Sequence, residues 1–131
     1  MNTKKILIFE DNDLDIDIYK IIFEKLNQES ENTFSIHYVK DNPSFLEIIN
    51  EIEFDLILSD LRIGMKTSLE SIKHITSQAK FRGLPIVVLS SSNYDQDITQ
   101  SIEAGASHFA TKPQSFTKFR EYIEKIIKTY F

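Results

Sequence analysis

Three stretches of this chain, Ile6-Leu7-Ile8-Phe9, Leu56-Ile57-Leu58 and Ile86-Val87-Val88-Leu89, are apolar without interruption. A strand with one face in water alternates apolar and polar residues, because successive side chains point to opposite sides. Short unbroken runs rich in branched residues instead fit strands covered on both faces, as in a parallel sheet between two helical layers. With two further β-prone runs added, the expected strands are Lys5–Phe9, Phe34–Val39, Phe54–Ser59, Leu84–Leu89 and Ser107–Thr111.

Between these runs the apolar period becomes helical. Leu14, Ile18, Ile21, Ile22 and Leu26 fall on one predicted face of a first helix, with Phe23 at its edge. A second starts near Asn42-Pro43, a cap and first-turn pair, and turns Phe45, Ile48, Ile49 and Ile52 inward. The third carries Leu69, Ile72, Ile75 and Ala79, and the last carries Phe116, Phe119, Ile123, Ile126, Ile127 and Tyr130. The segment Asp95–Ala104 offers only Ile98, Ile102 and Ala104, so the fourth helix should be the least firmly buried, with Gly105 as its C-terminal cap. Five alternations of strand and helix with short connections predict a doubly wound α/β fold. At 131 residues the chain is one domain's worth, and the last helix runs to Phe131, so a single domain over 1–131 with no output domain is expected.

Composition removes several classes of function. A net charge of −5 argues against a nucleic-acid binder, which needs a basic surface. Without cysteine there is no disulfide, thiolate zinc site or thiol nucleophile. The apolar run after Lys4-Lys5 stops at Glu10-Asp11, short of the roughly 7–15 residues of a secretory signal. No stretch approaches the ~20 residues of a membrane span, so a cytoplasmic location is expected. Asp11-Asn12-Asp13-Leu14-Asp15 opens like a calcium loop, but Ile16 and Ile22 stand where that loop needs glycine and glutamate. Asp15 and Asp17 then read as solvated helix residues.

In open parallel sheets ligands bind beyond the carboxyl ends of the strands. The first strand delivers Glu10-Asp11 there, the third Asp60, the fourth Ser90-Ser91 and the fifth Lys112-Pro113. Each group has a plain structural reading: a solvated turn, a cap, a turn serine, a loop dipeptide. Their succession at consecutive strand ends favours a site. Converging carboxylates repel one another unless a positive charge joins them, and Mg²⁺ takes such oxygen ligands while leaving room for a substrate phosphate. A metal, a lysine and a hydroxyl around one carboxylate make a site for phosphoryl transfer onto that carboxylate.

The chain resembles the receiver domains of the two-component response-regulator family, from Lys4 to Tyr130. The matching stretches are Ile-Leu-Ile-Phe-Glu-Asp-Asn (6–12), Phe-Asp-Leu-Ile-Leu-Ser-Asp-Leu-Arg (54–62), Leu-Pro-Ile-Val-Val-Leu-Ser-Ser (84–91) and Glu-Ala-Gly-Ala-Ser-His-Phe-Ala-Thr-Lys-Pro (103–113). The resemblance implies a flavodoxin-like, five-stranded parallel sheet of order 2-1-3-4-5 flanked by five helices. It implies Asp60 as phospho-acceptor, Glu10, Asp11, Asp60 and the backbone carbonyl of Arg62 as Mg²⁺ ligands, and Ser90 and Lys112 as phosphoryl contacts. Ser90 and Phe109 would be the switch pair, and Arg62 and Ser92 would tune the lifetime of the phosphorylated form. The donor would be a sensor histidine kinase or phosphotransfer protein, and the readout binding to a downstream protein, with hydrolysis limited to the domain's own acyl phosphate.

The terminal Thr-Tyr-Phe after an aromatic-rich helix is similar to the stand-alone receivers paired with bacterial phytochrome kinases. Some of those dimerise through the face from the fourth to the fifth helix. Three positions depart from the family pattern: Gly64 stands where proline is usual, Ser68 where glycine is usual, and Phe109 where tyrosine, with a hydroxyl for an output interface, is commoner. Glycine is more flexible than proline, so a less ordered or differently shaped loop after Asp60 is expected. These departures leave open a receiver-like interaction module that works without phosphate. An aspartyl-phosphate phosphatase is disfavoured, because Arg62 occupies the place of its second aspartate.

Overall fold

A computed structural model describes residues 2–92 and 94–131. These form β1 (Thr3–Phe9), α1 (Asp13–Glu29), β2 (Thr33–Val39), α2 (Asn42–Glu51), β3 (Leu56–Asp60), a hairpin of β4 (Arg62–Ile63) and β5 (Lys66–Thr67), and α3 (Leu69–Thr76). After a 3₁₀ turn at Ala79–Phe81 come β6 (Ile86–Ser90), α4 (Asp95–Glu103), β7 (His108–Thr111) and α5 (Phe116–Tyr130). The main sheet is parallel, in the order β2-β1-β3-β6-β7. That is 2-1-3-4-5 once the two-residue hairpin strands are set aside. Among the described residues no helix is long and apolar enough to cross a membrane.

The unbroken apolar runs are accounted for by two cores on opposite faces of the sheet. Ile6, Ile8, Leu56, Leu58, Val87 and Leu89 pack against α1 and α5. Their neighbours Leu7, Phe9, Ile57, Ile86 and Val88 pack against α2 and α3, where Phe9 stacks on Phe45 at 4.7 Å.

Helices α1, α2 and α5 start at side-chain caps, whereas α3 and α4 have none. Asn12 Oδ1 accepts from the Asp15 amide at 3.1 Å, and Ser115 caps α5 through Lys118. In α2 the cap is Asp41, one residue before the expected pair, with Pro43 in the first turn.

Four expected packing faces are corrected, among them that of α5, which buries Phe119, Ile123 and Ile126 but leaves Phe116 exposed. Helix α1 buries Ile16, Tyr19, Ile22, Phe23 and Leu26, leaving Leu14 73% and Ile21 46% exposed. The helix is rotated from the expected stripe because Tyr19 and Phe23 bury large rings, against Phe119 and Phe34 respectively. Phe23 is therefore core rather than edge. Helix α3 stops at Thr76, where Ser77 Oγ and Gln78 Nε2 both donate to the His74 carbonyl, and Ala79 is exposed. Helix α4 buries Asp97 and Ser101, while Ile102 is 48% exposed. It has the weak apolar face expected of it, but the buried stripe is polar.

Gly105 follows α4 with φ +110°, and a Cβ there would lie 2.5 Å from the Thr76 side chain. Thr76 Oγ1 in turn donates to the Ala104 carbonyl at 2.7 Å, so it cannot move aside freely. Gly105→Ala should destabilise the fold by about 1–3 kcal/mol through backbone strain and this clash. A thermal melt checks this; an unchanged midpoint would refute it.

Candidate functional site

Strand register brings the acidic residues together. Phe9 pairs with Ser59 and Asp60 with Leu89, so Glu10, one residue beyond Phe9, arrives beside Asp60. Ser90 pairs with Thr111, and the Lys112 amide donates to the Ser90 carbonyl at 2.7 Å, which holds Lys112 at the same edge. Asp60 follows Leu56 and Leu58 in the alternation of β3, on the α1 side of the sheet.

Lys112 sits at the centre of the cluster. Its Nζ pairs with Glu10 Oε1, donates to Asp15 Oδ2 at 2.8 Å and lies 3.3 Å from Asp60 Oδ1. One oxygen each of Glu10, Asp11 and Asp60 lies within 4.8 Å of the others. Glu10 is 1% exposed, and its carboxyl is pushed up to about 8, by burial first and by the Asp60 charge next, with Lys112 opposing both. Asp60 is also raised, again chiefly by burial, although Lys112 pulls it back. Burial would lower the Lys112 ammonium, but Asp60, Asp15 and Glu10 outweigh it and hold the lysine more firmly charged than usual.

The loop after Asp60 takes a shape that its glycine allows. Gly64 adopts φ +60° at the β4–β5 turn, and its amide donates to Asp11 Oδ2 at 2.8 Å. Proline could supply neither that conformation nor that donor. Ser68 is fully buried, with φ −82°, so no glycine is needed there. Its Oγ donates to the Asp60 carbonyl at 2.8 Å and its amide to the Leu61 carbonyl at 3.0 Å. The loop is thus a hairpin tied to both Asp11 and Asp60.

The structure therefore gathers Glu10, Asp11, Asp60 and Lys112. Ser90 is buried at the end of β6, and Phe109, paired with Val88 on β7, is half-buried against the core of the α2–α3 face. Arg62 opens β4, with its guanidinium 3.1 Å from Asp97 on α4. Three contributors were not singled out from the sequence. Asp15, read as solvated, binds Lys112; its place in the first turn after Asp11 was the available signal. Tyr19 is buried behind the site, its phenol pushed well up by burial and then by Glu10, Asp60 and Asp15. Asp97 is brought in from 35 residues beyond Arg62, and nothing in its own neighbourhood of the sequence marks it.

The response regulator receiver domain model matches residues 6–124. The chain belongs to that family. Among curated receivers, it is 24% identical to the polar-differentiation response regulator DivK of Brucella ovis, over 95% of this chain and 97% of DivK. It is 30% identical to the two-component response regulator ARR8 of Arabidopsis thaliana, over 63% of this chain but only 37% of ARR8's length. Among solved structures, the phosphorylated cyanobacterial phytochrome response regulator RcpA superposes with a TM-score of 0.86 at 27% identity, covering 98% of this chain and 94% of RcpA. The receiver domain of the sensor histidine kinase PA1611 from Pseudomonas aeruginosa PAO1 has a magnesium ion coordinated in its active-site cleft. It superposes with a TM-score of 0.80 at 20% identity, covering 98% of this chain and 97% of that domain.

In this receiver the acidic cluster costs stability at neutral pH. Asp60 has a raised carboxyl, so the folded state holds its proton more tightly than the unfolded state does. That penalty is absent below the unfolded carboxylate pKa and grows as pH rises through it. With divalent cations chelated at pH 7, Asp60→Asn should melt a few degrees above wild type. Equal or lower midpoints would show that Lys112 already compensates the charge.

Proposed function

We propose that this receiver is a phosphorylation-dependent switch with Asp60 as the phospho-acceptor. The observation that carries the reading is the convergence of Glu10, Asp11 and Asp60 at one strand edge with Lys112 Nζ 3.3 Å from Asp60. An Asp60 oxygen attacks the phosphorus of a phosphohistidine on a sensor histidine kinase or phosphotransfer protein. The P–O bond forms as the P–N bond to the donor imidazole breaks, and the imidazole keeps the electron pair and takes up a proton. Lys112 remains paired to the phosphoryl-bearing side chain, and the Ser90 hydroxyl donates to a phosphoryl oxygen.

The donor set fits a hard divalent cation. Glu10, Asp11 and Asp60 are oxygen ligands; burial first and the Asp60 charge next raise the Glu10 carboxyl, and a bound cation would offset both by favouring the charged forms. Together with the Arg62 backbone carbonyl they would hold Mg²⁺, which when bound neutralises charge on the transferring phosphoryl group. The domain's own hydrolytic chemistry is then confined to its acyl phosphate.

Movement of Ser90 and Phe109 changes the face formed by α4, β7 and α5. That face already exposes Tyr94, Ile102 and Phe116, and it is where we place the readout to a downstream protein or a second copy. Incubation with acetyl phosphate and Mg²⁺, followed by intact-mass measurement, should give one phosphoryl adduct on wild type. Asp60→Asn and a chelator should each abolish it. Absence of the adduct on wild type would favour the interaction module that works without phosphate.

A further inference from the structure

We infer that Asp97 is a positioning residue that sets how readily Ser90 turns toward the phosphoryl group. The inference rests on the proposed phosphorylation of Asp60 and adds to it a restraint held by α4. Asp97 is 6% exposed in the first turn of α4, a helix that buries little apolar surface. A buried carboxylate persists only where its charge and lone pairs are matched. Its Oδ1 accepts from Arg62 Nη2 at 3.1 Å and its Oδ2 accepts from Ser92 Oγ at 2.7 Å.

Proton counting gives the direction of the rest of the chain. Ser92 has one hydroxyl hydrogen, and the Asp97 carboxylate can only accept, so that hydrogen is committed to Asp97. The 3.2 Å contact between the Ser90 and Ser92 hydroxyls is therefore donated by Ser90. The Ser92 amide completes the arrangement by donating to Ser90 Oγ at 3.2 Å. Ser90 thus spends its hydrogen on Ser92, and must give that bond up before donating to a phosphoryl oxygen. Arg62 lies two residues past Asp60, so Asp97 ties α4 to the segments that follow both β3 and β6.

Removing the carboxylate frees the Ser92 hydrogen, which can then be donated to Ser90, leaving Ser90's own hydrogen free for the phosphoryl group. One hydrogen bond's restraint corresponds to roughly threefold to tenfold in an equilibrium constant. The test is a titration of the full chain with beryllium trifluoride and Mg²⁺, followed by amide NMR shifts, for wild type, Asp97→Ala, Ser92→Ala and the double variant.

Each single variant should bind the phosphoryl mimic about threefold to tenfold more tightly than wild type, and the double variant no more tightly than Ser92→Ala. Additive effects, or unchanged or weaker binding in both single variants, would overturn the role assigned to Asp97, since a purely structural aspartate has no reason to act through Ser92. If Asp97→Ala does not fold, Asp97→Asn, a neutral and weaker acceptor, carries the same cycle with a smaller gain. Failure of wild type to bind the mimic would instead overturn the phosphorylation reading itself, and this inference with it.

Discussion

The Lys112 ammonium, held among Glu10, Asp15 and Asp60, is the interaction on which the carboxyl edge of this sheet depends. Carboxylates this close and this buried repel one another, and burial alone disfavours their charged forms. Lysine offsets part of that cost, as the opposing influences on Glu10 and Asp60 show. What it leaves is an edge still under electrostatic strain, which a further positive charge would relieve.

The rest of the edge is arranged around this balance. Gly64 sends its amide to Asp11, and Ser68 holds the Asp60 carbonyl, so the β4–β5 hairpin fixes the backbone on the open side of the cluster. Both residues depart from the family pattern, yet each makes a bond that the usual residue would not. Proline at 64 would lack the donor, and glycine at 68 would lack the hydroxyl. The two substitutions suit one another because the hairpin needs a left-handed turn at one end and a polar anchor at the other.

Helix α4 stands apart from the other helices. Those bury apolar stripes against the sheet, whereas α4 presents Asp97 and Ser101 inward and Ile102 outward. A helix with little apolar burial, held on its inward side by the bonds of Asp97, belongs to the low-stability end of a fold and can shift without dismantling a core. Asp97 reaches both Ser92 and Arg62, so this helix of little apolar burial is joined to both sides of the proposed phosphorylation site.

Sequence alone determined the strand and helix alternation, the two-faced burial of the central strands and the delivery of Glu10, Asp11, Asp60, Ser90 and Lys112 to one edge. Those features follow from period and from position at strand ends, which are local and repeat along the chain. The rotation of α1 was not legible, because two overlapping apolar stripes fit the same helix. The choice fell to Tyr19 and Phe23, whose partners Phe119 and Phe34 lie elsewhere in the chain. Asp15 and Asp97 were hidden for the same reason: a charged residue on a helix reads as solvated until a distant partner is known. Only the tertiary structure supplies Lys112 to Asp15 and Arg62 with Ser92 to Asp97, whose charge, being buried, is tolerated only where the fold brings its counterpart within reach.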